Sequence, residues 1–300
     1  MTFASAVAMV RPASFGYNKE TADDNHFMNA PAEADEALHA KALIEFDGIV
    51  RLMEENGIRA LVLEDDLSQI RPDAIFPNNW ISCMHEKLTL FPMKAESRRT
   101  EKRSDLIEQL QIHTGISQVH DLCENEIQNI FLEGTGSMVF DHCNKVVYGC
   151  ISPRTDLSLF REYAISISYR AVAFHAADGR GRAIYHTNVL MCIGAGFCVI
   201  CLQAIDKNDA AEVKESLITA GLEIIEISFI QMQSFAGNML QLRNGNNENI
   251  LVMSKTAHNT LNIEQIATLK KSTRFAVADV TSIENASGGG VRCMLAELFY

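Results

Sequence analysis

The chain has 300 residues, 47% hydrophobic and 21% charged, and a net charge of −12. That composition excludes a disordered, collagenous or coiled-coil chain. The acidic balance makes nucleic acid or an anionic membrane face a poor partner.

The first twelve residues are apolar but lack a basic start, so they do not read as a secretory signal. Five segments then carry helical spacing: 35–56, 102–112, 156–165, 208–220 and 262–272. The first places Leu38, Ala42, Phe46, Ile49 and Met53 on one stripe. Each helix is followed by a short β-like run, at 60–64, 117–122, 171–175, 222–228 and 274–277. A β-rich ribbon comes next each time, at 80–91, 136–150, 188–201, 238–253 and 291–299. The short runs begin 57, 54, 51 and 52 residues apart.

A period near 50 predicts repeated modules packed side by side. Five modules without polar end-caps are best satisfied by closing into a ring, which removes exposed sheet edges. No low-complexity linker divides the chain, so one domain over 1–300 is expected. The longest apolar stretch, 189–202, contains Gly194 and Gly196 and is shorter than the roughly 20 residues a membrane span needs. Of the eight cysteines only Cys198 and Cys201 form a CxxC, and no second pair completes a zinc site. They lie in an apolar run and read as small buried hydrophobes. A reduced, cytosolic protein without metal or organic cofactor is expected.

The segments opening the five ribbons are PNNW (77–80), LEGTG (132–136), YHTN (185–188), FAGN (235–238) and SGGGVRC (287–293). In a ring they converge near the axis. Cys293 follows three glycines, which permit positive φ and close backbone approach to a ligand. A buried cysteine opening a C-terminal strand is the plainer reading, and the glycine run opposes it. His186 and Asn188, two apart in an apparent strand, point the same way and share a cavity. Glu133, between an apolar pair and glycines, is costly to bury without a partner, and an imidazolium supplies one. Cysteine, histidine and carboxylate together imply covalent nucleophilic catalysis.

LEGTG, HTN and GGGVRCM, in this order, resemble the guanidino-group-modifying superfamily of arginine deiminases, dimethylarginine hydrolases and amidinotransferases. MVRPASFGYNKET (9–21), FPNNWIS (76–82) and ISPRTD (151–156) extend the resemblance to the citrulline-utilisation (CtlX-like) hydrolases. The resemblance implies an α/β fold of five modules, an α/β-propeller (pentein), with pseudo-fivefold repeats around a central active site. It places the nucleophile on Cys293, the general acid/base on His186 and its carboxylate on Glu133. It also implies that Arg154 grips a substrate carboxylate, that Asp73 and Asn79 stand where relatives have two acidic ligands, and that Arg98 or Arg99 is a further anchor.

Arginine deiminases carry acids where this chain has Asn79 and Asn188. Two carboxylates suit a guanidinium, whereas amides with one donor and one acceptor face suit a neutral ureido group. The expected reaction is therefore hydrolysis of citrulline to ornithine through a carbamoyl-thioester on Cys293. An arginine deiminase, a dimethylarginine-type hydrolase and an amidinotransferase are the alternatives. A non-catalytic binding module of the same fold and a translation-factor-like relative stand further off. The expected partner is a small amino-acid substrate. A homodimer is the commonest oligomer on general grounds.

Overall fold

The spacing of the first helix is realised as burial. In the computed structural model, which describes residues 3–31 and 34–300, the helix spans Asp35–Glu55 and hides Leu38, Ala42, Phe46, Ile49 and Met53. The four larger side chains of that stripe stabilise the fold by roughly 1.5–3 kcal/mol each before entropy is counted. The other predicted helices form at Ser104–Thr114, Leu157–Ser166, Ala210–Thr219 and Ile263–Leu269. Asp156 caps the third, accepting from the Leu159 amide, and Asn262 opens a capping box with Gln265 on the fifth.

The strands in chain order are β1 (Ala6–Arg11), β2 (Arg59–Glu64), β3 (Ile81–Met84), β4 (Lys87–Leu90) and β5 (Gln118–Asp121). They continue with β6 (Met138–Asp141), β7 (Val146–Cys150), β8 (Arg170–Phe174), β9 (Met191–Gly194) and β10 (Phe197–Ile200). The last are β11 (Glu223–Glu226), β12 (Leu240–Arg243), β13 (Asn249–Ser254), β14 (Arg274–Ala278) and β15 (Ala296–Leu298). The fold is mixed α/β.

One pairing scheme recurs. An antiparallel ribbon runs through a helix into a third strand that lies parallel to the second. It joins β3-β4-β5, β6-β7-β8, β9-β10-β11 and β12-β13-β14. The same scheme in β15-β1-β2 uses both ends of the chain: Ala6 pairs with Leu298 antiparallel, while β1 and β2 pair parallel. The sequence reading built this last ribbon from 291–299 alone. Its second strand is instead β1, inside the segment taken only as an apolar N-terminus. A further bridge, Leu298 to Cys83, merges this unit with β3-β4-β5 into a six-stranded sheet.

A single helical turn precedes four of the ribbons, at Pro77–Asn79, Gly134–Ser137, Thr187–Leu190 and Val291–Met294, and an irregular segment lies ahead of β12. The turns at Pro77–Asn79, Gly134–Ser137, Thr187–Leu190 and Val291–Met294 pack against one another, which gathers residues from distant parts of the chain. All eight cysteines are free, and Cys198 and Cys201 are buried as expected. Among the described residues no helix is long and apolar enough to cross a membrane.

Candidate active site

Glu133 begins the turn Gly134–Ser137 and is wholly buried. Its Oε2 lies 2.8 Å from Nε2 of His186 and 3.6 Å from Nη1 of Arg154, while Oε1 accepts the Lys94 amide at 3.0 Å. Burial works against its charge, but Arg154, His186 and Arg98 outweigh it and hold the carboxyl near pKa 2. Glu133 is thus ionised at neutral pH.

His186 has extended backbone and leads into the turn Thr187–Leu190. Thr187 fixes that turn: its hydroxyl donates to the Ser137 carbonyl at 2.5 Å and accepts the Cys150 amide at 2.7 Å. Burial pushes the imidazole pKa down, and although Glu133 opposes this, Arg154 and Arg98 add to the depression. The neutral ring therefore donates from Nε2–H to the ionised Glu133, which leaves Nδ1 as an acceptor.

Cys293 sits in the turn Val291–Met294 and is 6% exposed. Its Sγ accepts from Nδ2 of Asn238 at 3.4 Å and from Nδ2 of Asn188 at 3.6 Å. Burial pushes the thiol above its ordinary pKa of 9.0, and Asn238, Arg292 and the Gly290 backbone only partly offset this. Iodoacetamide should therefore alkylate free Cys293 slowly at about pH 7, where less than roughly 1% is thiolate, and faster as pH rises past about 9. Intact-mass kinetics across pH measure this; a rate that levels off below about pH 8 contradicts it.

The glycines preceding Cys293 serve different needs. Gly288 alone adopts positive φ, at +65°, and a side chain there would meet Oδ1 of Asn25 at 2.6 Å. A Cβ on Gly289 would stand 2.8 Å from the Phe76 ring, and one on Gly290 would stand 2.6 Å from Oδ1 of Asn238.

Gly136 is equally constrained. A Cβ there would lie 2.3 Å from Nδ2 of Asn79, 2.7 Å from Cε1 of His186 and 2.8 Å from its Nδ1. The amide and the acceptor nitrogen thus face one small space. Gly136→Ala should cost about a hundredfold in kcat by displacing both groups, with a modest change in melting temperature. Steady-state kinetics beside a thermal melt check this, and activity within about twofold of the parent would refute it.

His186, Cys293, Asp73, Asn79, Arg98 and Arg154 line one narrow cavity of about 20 Å³, with Thr21 and Asn25 also on its wall. The structure brings these predicted residues together, with Glu133 behind the imidazole, but it alters the expectations for Asn188, Arg98, Arg154 and Arg99. Residues 187–190 form a helical turn rather than a strand, so Asn188 does not share the His186 cavity and turns its Nδ2 to the sulfur. Arg98 is engaged through four of its five N–H groups: Nε and Nη2 fork onto Glu101 at 2.8 and 2.9 Å, Nη1 donates to Oδ1 of Asn79 at 2.8 Å, and Nη2 also donates to the Phe76 carbonyl. Arg154 pairs through Nε and Nη2 with Asp24 and stacks over the Tyr185 ring at 4.8 Å. Arg99 stays outside the cavity and donates to the carbonyls of Met93 and Lys94.

Asp73 is held through Oδ2, which accepts from Asn18 at 2.9 Å and Thr21 at 3.3 Å. The Asn79 amide has a fixed orientation. Arg98 offers only donors, so Oδ1 must face it, and Nδ2 is left buried with no hydrogen-bond partner.

Sequence reasoning missed Asn238, whose amide reaches the sulfur and the Asn188 carbonyl while its Oδ1 accepts the Arg292 amide. A signal was present: FAGN is the fourth segment of the converging set. Glu101 and Asp24 carried no comparable signal. Among the described residues no group of three or more His, Cys, Asp or Glu is placed to hold a metal ion.

A mixed α/β fold that gathers a thiol, an imidazole and a carboxylate around one cavity defines a member of the guanidino-modifying pentein superfamily. More particularly, the chain belongs to the family described as N,N dimethylarginine dimethylhydrolase, eukaryotic, whose model matches residues 11–300. Comparison with curated protein sequences gave no match.

Solved structures share the fold. ArgZ, an arginine dihydrolase from the ornithine-ammonia cycle in cyanobacteria, superposes with TM-score 0.75 at 16% identity over 97% of this chain. The chain spans 40% of the length of that protein. The substrate-bound N-terminal domain of ArgZ, a cysteine-to-serine mutant, gives TM-score 0.74 at 16% identity, covering 97% of both chains. A cysteine-to-serine mutant of DDAH from Pseudomonas aeruginosa, complexed with citrulline, gives 0.66 at 18% identity, covering 99% of this chain and 100% of that one.

Proposed function

We propose that this chain is a single catalytic domain over 1–300, a five-module α/β-propeller, and a cysteine-nucleophile hydrolase. It acts on the C–N bond of an arginine-like amino acid, with citrulline as preferred substrate and ornithine as product, as in the CtlX-like hydrolases. The observation that carries the substrate choice is Nδ2 of Asn79, buried without a partner on a side chain that lines the cavity and fixed by Arg98 toward Gly136 and the His186 ring. A buried donor without a partner costs about 1–3 kcal/mol and is satisfied by an acceptor. A ureido group offers a carbonyl oxygen there, whereas a guanidinium offers only donors.

In this reading the Cys293 thiol gives its proton to Nδ1 of His186 as substrate binds, and Sγ attacks the ureido carbon. The C–S bond forms and the carbonyl π pair moves to oxygen, beside the Asn79 amide. Collapse expels the δ-nitrogen, which takes the proton from His186, and ornithine leaves. Water, deprotonated by His186, then attacks the carbamoyl-thioester. Sulfur departs and regains its proton, and the carbamate breaks down to carbon dioxide and ammonia. Ionised Glu133 stabilises the imidazolium at each transfer. Asn238 and Asn188 donate to the sulfur and favour its thiolate. Asp73 offers a carboxylate to the substrate ammonium, and Arg98 positions Asn79 rather than touching substrate. The free cysteines suit a cytosolic setting.

Asp73 supports a second reading. A carboxylate on the cavity wall also suits the cation of arginine or a methylated arginine, the substrates named by the family description and by the ArgZ relative. Steady-state turnover of citrulline, arginine and dimethylarginine, with products identified by mass spectrometry, separates the two. Ornithine formed fastest from citrulline is expected; faster turnover of arginine under equal conditions overturns the citrulline assignment. Transfer of the amidino group of arginine to an added amine in place of water would make the enzyme an amidinotransferase.

A further inference from the structure

The predicted substrate anchor Arg154 already holds a carboxylate. Its Nε donates to Oδ1 of Asp24 at 3.1 Å, Nη2 donates to the same oxygen, and Nη2 also reaches the Thr21 carbonyl at 3.1 Å. The other oxygen of Asp24 accepts from Nζ of Lys94 at 2.6 Å. Arg154 is 3% exposed, while Lys94 reaches solvent. Asp24 therefore bridges a buried guanidinium and an outer ammonium.

The segment carrying Asp24 forms a wall of the cavity. It is tied to its surroundings by polar contacts, Asn18 and Thr21 to Asp73, Asn25 to the Ser287 carbonyl at 2.8 Å and the Asn29 amide to the Asn285 carbonyl, and by Phe27, whose ring packs against Tyr185 and Phe235. Cavity-lining residues are nearly all buried, so an amino acid enters only if this wall gives way. The edge of Arg154 that Asp24 occupies is the edge a substrate carboxylate needs for a forked pair.

We propose that Asp24 is an internal counter-ion that selects substrates by their carboxylate. It neutralises Arg154 and holds the wall shut in the empty site. An incoming α-carboxylate takes its place on Arg154, and Asp24 moves outward while still paired with Lys94. Charge is conserved in the exchange, because one carboxylate replaces another on the buried cation. A decarboxylated amine cannot make this exchange and gains nothing from Asp24's release. The proposal rests on the ureido-amino-acid reading above.

Competition by an internal carboxylate weakens apparent affinity in proportion to the time it holds the site. Asp24→Asn should therefore lower KM for citrulline about tenfold if the pair forms nine-tenths of the time, and should not lower KM for the ureido amine lacking the carboxylate. Lys94→Met, which removes the outer partner, should move KM for citrulline the opposite way. A merely structural wall would raise KM for both substrates in both variants, and that outcome, or unchanged values, overturns the proposal.

Alkylation of Cys293 by iodoacetamide at one fixed pH gives a readout that needs no turnover. It should quicken in Asp24→Asn and slow in Lys94→Met. If no ureido compound is turned over by the parent enzyme, the substrate reading fails, while opposed alkylation rates still uphold the closing role of Asp24. Equal rates in all three proteins reject it.

Discussion

Cys293→Ser abolishes turnover, with kcat expected to fall about ten-thousandfold and the folded state unchanged by circular dichroism and melting temperature. Serine keeps the size and the position in the turn Val291–Met294, where the backbone amide donates to the Gly290 carbonyl at 3.0 Å. What it loses is acidity and nucleophilicity. Even the native thiol is pushed up by burial, so its ionisation relies on Asn238, Asn188 and proton transfer to His186. A hydroxyl many pKa units weaker as an acid cannot be ionised by the same set. His186→Ala should cost a similar factor, and the double variant little more, because the two groups act in one step. Product formation by mass spectrometry, with enzyme in excess over contaminating activity, reads the result. Turnover of Cys293→Ser within about tenfold of the parent would end the covalent mechanism.

The same physical distinction separates what was legible in the sequence from what was not. Helices were legible because their signal is local. The stripe from Leu38 to Met53 and the caps at Asp156 and Asn262 lie within a few residues of what they determine. The converging segments were legible through their period, and Glu133, His186 and Cys293 come together accordingly.

Ion-pair partners are a different matter. Arg154 meets Asp24 across 130 positions, and nothing in SPRT marks that carboxylate. Arg98 meets Glu101 only three positions on, yet whether that pair is a solvated helix contact or a buried fork depends on tertiary packing. An anchor for a free carboxylate and an arginine already paired look identical in sequence. The Asn188 error has a similar source. Apolar residues from Val189 to Ile193 fit a strand by composition, but the strand starts at Met191, after a turn that rotates Asn188 away from His186. The pairing of β1 with β15 was hidden because two chain ends close one ribbon.

Asn79→Asp tests whether one amide sets the choice between ureido and guanidinium substrates. The oxygen facing Arg98 at 2.8 Å survives the change, so the Arg98–Glu101 fork should persist. The donor facing Gly136 and the His186 ring becomes a second acceptor, and a negative charge joins Asp73 among the cavity-lining residues. Citrulline then loses the hydrogen bond to its carbonyl oxygen and meets a lone pair instead, a penalty of about 2–3 kcal/mol. That corresponds to roughly a hundredfold loss in kcat/KM. A guanidinium gains an acceptor for its N–H groups and a counter-charge, so the ratio of arginine to citrulline turnover should rise by a similar factor or more. Arg98, whose Nη1 donates to Oδ1 at 2.8 Å, favours the charged form of the added carboxylate. The gain for arginine should therefore already be present at about pH 7 rather than appear only as pH rises. Competition assays with both substrates in one vessel, across pH, measure the ratio directly. An unchanged preference in Asn79→Asp would show that the amide does not discriminate, and the charge of Asp73 would then be the property that sets substrate class.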